Sequence, residues 1–443
     1  MTDHIKIKKG LDIPLKGMPS GDITEDTETS RYAICPDDFP GPVWKSTVKP
    51  GDEVNIGTPL LKDKNDSGIC LVSPVKGKVT DVNRGERRHI NYIEVESPEH
   101  AYSLQTDLKA DSPEKIKEAL MKSGLWAMMR QRPYDIVPDP ETRPRDIFIS
   151  AFDTAPLAGD ILDTELAPYL AKGVEALRSL TDGKVYLGIR PGQKIDAPAA
   201  IITEFEGPHP AGNVGPQIAA IKPVNKGETV WTLDAATAAR IGLLCEKGIL
   251  DVHTTVAVTG PMVKDPHLVK TIIGASVSSL LKGNLSSEQG IRIISGNVLT
   301  GIKVTREGFL HYPYRQITVI AEGDDADEFM GWASINPNKY SVKRSFPAFL
   351  KGLTKPFDFD ARIKGGKRAM ILSGEYDKVF PFDIYPEYLI KAIMAGDIDR
   401  MEKLGIYEVA PEDFALPEFV DTSKIELQKI VKEGLANLRK ELE

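Results

Sequence analysis

From residue 146 onward the chain alternates short apolar runs with helix-like stretches, and this rhythm predicts a parallel sheet with crossover connections. DIFISAFDTAP reads as a buried strand entering a turn, 168–180 as a helix, KVYLGIR as a strand, and AAIITEFEG as the next strand. Residues 231–246, WTLDAATAARIGLLCE, read as a further helix with Asp234 near its start and Cys245 packed as a small apolar residue. Upstream, 48–96 holds short alternating runs closed by PGD, GTP, SPVKG and NRG, the pattern of a compact β structure built from hairpins. Between the two, 113–124 predicts a helix with Ser112 as N-cap and Ile116, Ala119 and Leu120 at helical spacing.

Downstream, VHTTVAVTGPMVKDPHLVKTIIGASVSSLLKG reads as strand, turn, strand and a helix ended by Gly283, with RIISGNVLTG and HYPYRQITVI completing the strands. The last part carries helical segments at 387–394 and 398–404 and a charged terminal helix at 423–443. Leu427, Ile430, Val431, Leu435 and Leu438 form an apolar stripe along that helix, which either packs on the body or docks on a partner. Gly434 interrupts it at a cost of about 1 kcal/mol relative to Ala.

At 443 residues the chain has room for roughly two to four domains, at about 150 residues each. A net charge of -8 excludes the concentrated positive surface that nucleic acid requires. No apolar run approaches the ~18 residues of a membrane span, and MTDHIKIKKGLDI lacks the apolar core of a secretory signal. Cys35, Cys70 and Cys245 lie far apart, so neither a disulfide framework nor a clustered metal or iron-sulfur motif is indicated, and a reducing cytoplasmic setting is expected.

The candidate chemistry gathers at EGPHPAGNVGP, residues 206–216, between a strand and the helix-like PQIAAI. Two prolines around His209, with Gly207 and Gly212 beside Asn213, force a sharp turn at a strand's end. It is either an ordinary strand-to-helix connection or a cradle for a phosphate or a flat ring, although it matches neither GxGxxG nor GxxxxGK[ST]. AFDTAP is a second loop of this kind, and in a doubly wound sheet such loops converge, bringing Asp153 and Thr154 near His209. His209, with an ordinary pKa of about 6.5, would then donate a hydrogen bond to a bound ring and supply a proton near neutrality, or else only cap the turn. Arg130 and Arg132 flank a turn at Pro133 beside Trp126 and Tyr134; they either clamp an anion or stack on a ring, or are solvated around a core tryptophan.

VKPGDEVNIGTPLL and SPVKGKVTDV resemble the two halves of a biotinyl/lipoyl-like barrel-sandwich hybrid. Lys62 and Lys64, in LKDKNDSG, lack the sequence context of a modified carrier lysine, so the module reads as structural. VTGPMVKDPHLVKTIIGASVSSLL resembles an SLBB β-grasp domain. Taken together, IKIKKGLDIPLKGMPS, SGLWAMMRQRP, AFDTAPLAGD, EGPHPAGNVG, GPMVKDPHLVKTIIGAS, RIISGNVLTG, GWASINPNKYSVKRSF and ALPEFV, in order along the whole chain, resemble the A subunits of the sodium-translocating NADH:quinone reductases.

That resemblance implies an α/β multidomain chain. Its parts would be a barrel-sandwich hybrid at 1–100, a Rossmann-like α/β domain at 101–252, an SLBB-like β-grasp domain at 253–322 and a mostly helical region at 323–443. It implies a peripheral subunit on the cytoplasmic side of the bacterial inner membrane. An integral-membrane partner would hold it in a six-subunit complex that oxidises NADH, reduces ubiquinone or menaquinone and exports sodium. The chain itself would bind no cofactor, with quinone as a ligand to be tested, and NADH, flavins and iron-sulfur centres would sit on other subunits. A purely docking role and an independent flavin or NADH protein of the complex I type are the alternatives. Quinone or partner contact would fall to His209, Gly207, Gly212, Asn213, Asp153, Thr154, Arg130 and Arg132, with no catalytic or metal residue assigned. Many relatives carry cysteines where this chain has Pro417 and Asp421, so a thiol role there is absent.

Overall fold

The continuous apolar runs of the middle of the chain become the parallel centre of a six-stranded sheet, with neighbours in the order Asp3–Lys6, Ile201–Glu206, Val185–Ile189, Asp146–Ser150, Val230–Asp234 and Arg130–Arg132. All neighbours pair in parallel except Arg130–Arg132, which is antiparallel to Val230–Asp234. The computed structural model describes residues 3–160, 162–324, 328–330, 333–342, 346–347 and 355–442. Asp146–Ser150 is buried at every position, as a central strand covered on both faces must be. Numbered in chain order, its four parallel central strands run 3-2-1-4, the doubly wound arrangement, with the order reversing between Asp146–Ser150 and Val230–Asp234.

Residues 231–246 are not one helix. Val230, Trp231, Thr232 and Leu233 are buried, and this β-branched and aromatic stretch fills the fourth central strand. The helix is Ala235–Lys247, and Asp234 is its N-cap, accepting the Thr237 N–H at 2.7 Å. Ser112 caps Pro113–Ser123 as expected, and Gly124 ends it in the left-handed conformation.

The first residues do not stay with the barrel-sandwich part. Asp3–Lys6 pairs with Ile201–Glu206, and Ile23–Glu25 pairs in parallel with His267–Ile272. Edge strands leave backbone donors and acceptors unpaired, and the N-terminal arm covers two such edges in turn. The hairpin module then holds Arg31–Ile34, Ile90–Glu96, Gly77–Arg84 and Glu53–Val54 in one sheet and Trp44–Ser46, Pro59–Asp63 and Cys70–Val72 in another. The β-grasp part is a six-stranded sheet around His253–Thr259 and Gln316–Ala321.

In the C-terminal region the longest helix is Leu427–Leu442. It starts later than the charge pattern suggests because Asp421 ties the preceding loop by accepting from the Ile425 N–H at 2.9 Å. Its stripe packs inward, with Leu427, Val431, Leu435 and Leu438 all buried in a cluster with Leu389, Ile390 and Phe414. Gly434 does not break the helix; a Cβ there would lie 2.6 Å from Ile393 Cγ2, so the missing side chain lets Pro386–Ala395 approach. Parts of the GWASINPNKYSVKRSF block lie outside the described residues, as does the end of the helix at 443.

A buried charge cluster joins the α/β and β-grasp parts. His253 Nδ1 is 2.5 Å from Asp251 Oδ2, its Nε2 is 2.7 Å from Asp163 Oδ2, and Arg240 Nε reaches Asp251 Oδ1 at 3.2 Å. Burial works against the imidazolium, but the two carboxylates outweigh it and hold its pKa at about 9. Because that value is raised above the unfolded one of about 6.5, the stabilisation is complete below pH ~6.5 and is lost as pH rises through 9. His253→Gln is expected to cost on the order of 3 kcal/mol at pH 6 and progressively less toward pH 9, as read by urea unfolding. An equal cost at both pH values would show that the histidine is held neutral.

Candidate functional site

The strand Ile201–Glu206 buries Thr203 and Phe205 and runs straight into the Gly207–Asn213 turn. The turn meets the loop after Asp146–Ser150 as the crossover topology requires. Thr154 Oγ1 lies 3.1 Å from His209 Nδ1 and accepts the Gly212 N–H at 3.0 Å. The Thr154 hydroxyl thus bridges the Gly212 backbone and the His209 ring, tying both to the loop after Asp146–Ser150. A Cβ at Gly212 would stand 2.7 Å from the Thr154 nitrogen, so the two loops touch backbone to backbone. Ser150 Oγ donates to the Gly212 carbonyl at 2.7 Å, and Gln217 Nε2 donates to Ser150 Oγ at 3.1 Å, locking them from beneath. Asp153 accepts the Ala155 N–H at 2.7 Å, and burial pushes its carboxyl up.

The expected convergence of Asp153, Thr154 and His209 is therefore present, but the crevice between them is filled. The N-terminal arm runs over the turn: Leu11 donates to the His209 carbonyl at 2.8 Å, and Asp12 Oδ1 accepts the His209 N–H at 2.9 Å. A Cβ at Gly207 would meet the Ile7 carbonyl oxygen at 2.2 Å. His209 is left 2% exposed, and burial lowers its pKa to about 4. It is neutral at physiological pH, so the expectation of a proton supplied near neutrality is corrected: a ring sealed from water cannot hold the charge.

The arginines are displaced from their expected role as well. Arg132 is 2% exposed and donates to Asp413 Oδ2 at 2.7 Å, Glu412 Oε1 at 3.0 Å and the Glu408 carbonyl at 3.2 Å. Arg130 donates to the carbonyls of Asp38, Ala127 and Met129, and its guanidinium lies 5.8 Å from the Tyr312 ring centre. Arg132 is buried and Arg130 half-buried, and both are engaged, because the short strand Arg130–Arg132 lies between parts of the chain that supply their partners. Trp126 is core, with its Nε1–H donated to the Pro138 carbonyl at 2.8 Å.

The helix after the turn, Val214–Ile221, has Asn213 at its N-cap without a side-chain cap bond. In doubly wound folds the positive end of such a helix receives an anion. Here that end faces a carboxyl group of the chain itself. A Cβ on Gly215 would fall 2.1 Å from Asp413 Oδ1, which has no hydrogen-bond partner among the described residues, while Oδ2 takes Arg132 and the Ala410 N–H. Burial pushes the Asp413 carboxyl up, and Arg132 offsets this only in part. Nothing in the local sequence singles out Asp413, which is 281 residues from Arg132. At the point where the strand order reverses, Asp234 pairs with Arg315 at 2.9 Å, and Gln316 Nε2 donates to the Pro156 carbonyl at 3.0 Å, so the β-grasp part bridges that corner. Of these residues only Asp234 carried a signal, its N-cap spacing before AAT.

Comparison with known proteins covers the chain from end to end. Residues 5–98 match the NqrA N-terminal barrel-sandwich hybrid domain, 111–250 the NqrA second alpha/beta domain, and 255–306 the NQRA C-terminal domain. The chain is 36% identical over 453 residues to the A subunit of the Na(+)-translocating NADH-quinone reductase of Serratia proteamaculans, covering 99% of this chain and 100% of that protein. It is 38% identical over 450 residues to the corresponding protein of Yersinia pseudotuberculosis, with 99% and 100% covered. A solved NAD+-reducing [NiFe]-hydrogenase superposes with a TM-score of 0.35 at 12% identity, over 74% of this chain and 61% of that one.

The pressure of Asp413 on Gly215 can be measured as a coupling. Gly215→Ala should destabilise the chain by about 1 to 3 kcal/mol through overpacking. In an Asp413→Ala background that extra cost should largely disappear, giving a favourable coupling in a double-mutant cycle of unfolding free energies. Additive costs would mean that the carboxylate does not sit against the helix end.

Proposed function

The chain belongs to the NqrA family, the A subunits of the Na(+)-translocating NADH-quinone reductases, and from that premise we propose that it serves as a peripheral, cofactor-free component of the quinone-reducing end of such a complex. In this reading it lies on the cytoplasmic side of the bacterial inner membrane. An integral-membrane partner holds it in the six-subunit assembly that couples NADH oxidation to Na+ export. End-to-end similarity to the known NqrA proteins supports membership of the complex. Among the described residues no helix is long and apolar enough to cross a membrane, which is consistent with attachment through a partner.

The observation that carries the cofactor-free reading is the occupied ligand edge. The helix end where a dinucleotide phosphate would bind faces Asp413, and like charge there repels a phosphate. The turn where a ring would stack is covered by Ile7–Asp12, with His209 buried beneath. The alternative of an independent flavin or NADH enzyme would need this edge open. The same closure favours a docking role for the loop itself: Gly207, His209, Gly212, Asn213, Asp153 and Thr154 work as a joint between segments, and any quinone contact falls on other surfaces of the protein.

Two measurements test this. The purified chain should be colourless, with neither stoichiometric iron nor a flavin absorbance band; either signal would return the cofactor to this chain. In the assembled complex, His209→Ala should lower the thermal midpoint and the yield of assembly while leaving kcat and the quinone KM unchanged in the complexes that form. A raised quinone KM with intact assembly, and with NADH oxidation by an artificial acceptor unaffected, would place quinone at the loop.

A further inference from the structure

Although the three cysteines are remote from one another in sequence, one of them is not chemically isolated. Cys35 precedes the single 3-10 turn Pro36–Asp38, and at three residues per turn its side chain and that of Asp38 are brought to the same side. From across the joint with the β-grasp part comes His311, whose backbone N–H is fixed on Ser295 Oγ at 2.9 Å. The Cys35 sulfur, an Asp38 oxygen and a His311 nitrogen all lie within 4.8 Å of one another.

We propose that Cys35, Asp38 and His311 form a binding site for a single divalent transition metal of the zinc type, clipping the barrel-sandwich turn to the β-grasp loop.

The donor set decides the metal class. One thiolate, one imidazole and one carboxylate suit Zn2+ or Co2+ and are too soft for Mg2+ or Ca2+. Asp38 Oδ1 is 2.7 Å from His311 Nδ1, a hydrogen-bonded pair in which a proton occupies the place the metal would take. Tetrahedral zinc, with bonds of about 2.0 Å to N and O and about 2.3 Å to S, needs ligand atoms roughly 3.3 to 3.8 Å apart, so this pair must open by only about half an ångström. The second carboxylate oxygen is held by the Tyr312 N–H at 2.9 Å, which orients the ligand as outer-sphere partners do. Cys35 and Asp38 are buried while the His311 side chain is 20% exposed, which leaves an entry path and room for a water as fourth ligand. Arg130, bonded to the Asp38 carbonyl, is a fixed cation beside the site. In the bound state the one thiolate and the one carboxylate together neutralise Zn2+, so no net positive charge is left beside that guanidinium. Binding replaces the Cys35 S–H bond with a sulfur–metal bond and releases that proton, while the proton shared by Asp38 and His311 Nδ1 moves to His311 Nε2 or leaves to solvent, with no change of oxidation state.

The experiment uses the full chain freed of metal by a chelator and titrated with Co2+ alone, then with Zn2+. One equivalent of Co2+ should give a thiolate-to-cobalt charge-transfer band and tetrahedral d–d absorption, both abolished by one equivalent of Zn2+. Cys35→Ala should remove the charge-transfer band, and His311→Ala or the more conservative His311→Asn should weaken binding at least tenfold. Cys70→Ala and Cys245→Ala should leave the spectra unchanged. Zn2+ should raise the thermal midpoint of the wild-type chain and not that of Cys35→Ala, whose unliganded midpoint reports whether it folds. The proposal is overturned by absence of saturable binding, by a charge-transfer band that survives Cys35→Ala, or by equal zinc stabilisation of wild type and Cys35→Ala.

Discussion

A guanidinium withdrawn from water must find counter-charge, and Arg132 finds it in a segment 281 residues further along. That requirement ties the C-terminal region, which has its own apolar core, to the edge of the α/β sheet. Asp413 answers Arg132 with one oxygen and presses the other on Gly215, so one carboxylate binds the antiparallel edge strand, the first turn of Val214–Ile221 and the C-terminal region at a single point. Removing one member of such a buried pair strands the other, at a cost of about 3 to 5 kcal/mol, whereas a solvent-screened pair such as Lys226 with Glu402 across the same junction contributes far less. The joint is held by its desolvated charge, and the peripheral ion pairs add little.

What could be read from the sequence was what local physics decides. Ser112 and Asp234 announced helix starts because a capping oxygen acts within three residues, and the apolar stripe from Leu427 to Leu438 announced a packed face because its period is that of the helix. DIFIS and IITEFE showed their strands by composition alone. The misreading of WTLD came from the Ala-rich helix that follows it, whose propensity was extended backward over residues that burial in a central strand claims instead.

The candidate site was half legible. That Thr154 and His209 meet follows from strand order, which the alternation of elements implied. That the space between them is closed does not, because the closing pieces are Ile7–Asp12 and Asp413, from the two ends of the chain. The protonation of His209 belongs to the same class of fact: an imidazole's charge depends on access to water, and no neighbouring residue in the sequence records that the ring is sealed. Arg130 and Arg132 likewise looked free only because their partners, Asp38 and Asp413, lie far away along the chain.

The N-terminal arm has a consequence for how the molecule is made. The strand Asp3–Lys6 leaves the ribosome well before the strand it completes, which lies 200 residues downstream, as the bond from Lys6 to Glu206 marks. During synthesis the arm must wait unpaired until most of the α/β domain has emerged, and it is already present when Ile201–Glu206 appears. At about 5 to 20 residues per second that interval lasts on the order of 10 to 40 seconds, long compared with the formation of any local helix or hairpin. The alternating Lys and Ile residues of HIKIKK suit such a wait, because charge on an unpaired strand discourages it from adding to the wrong sheet.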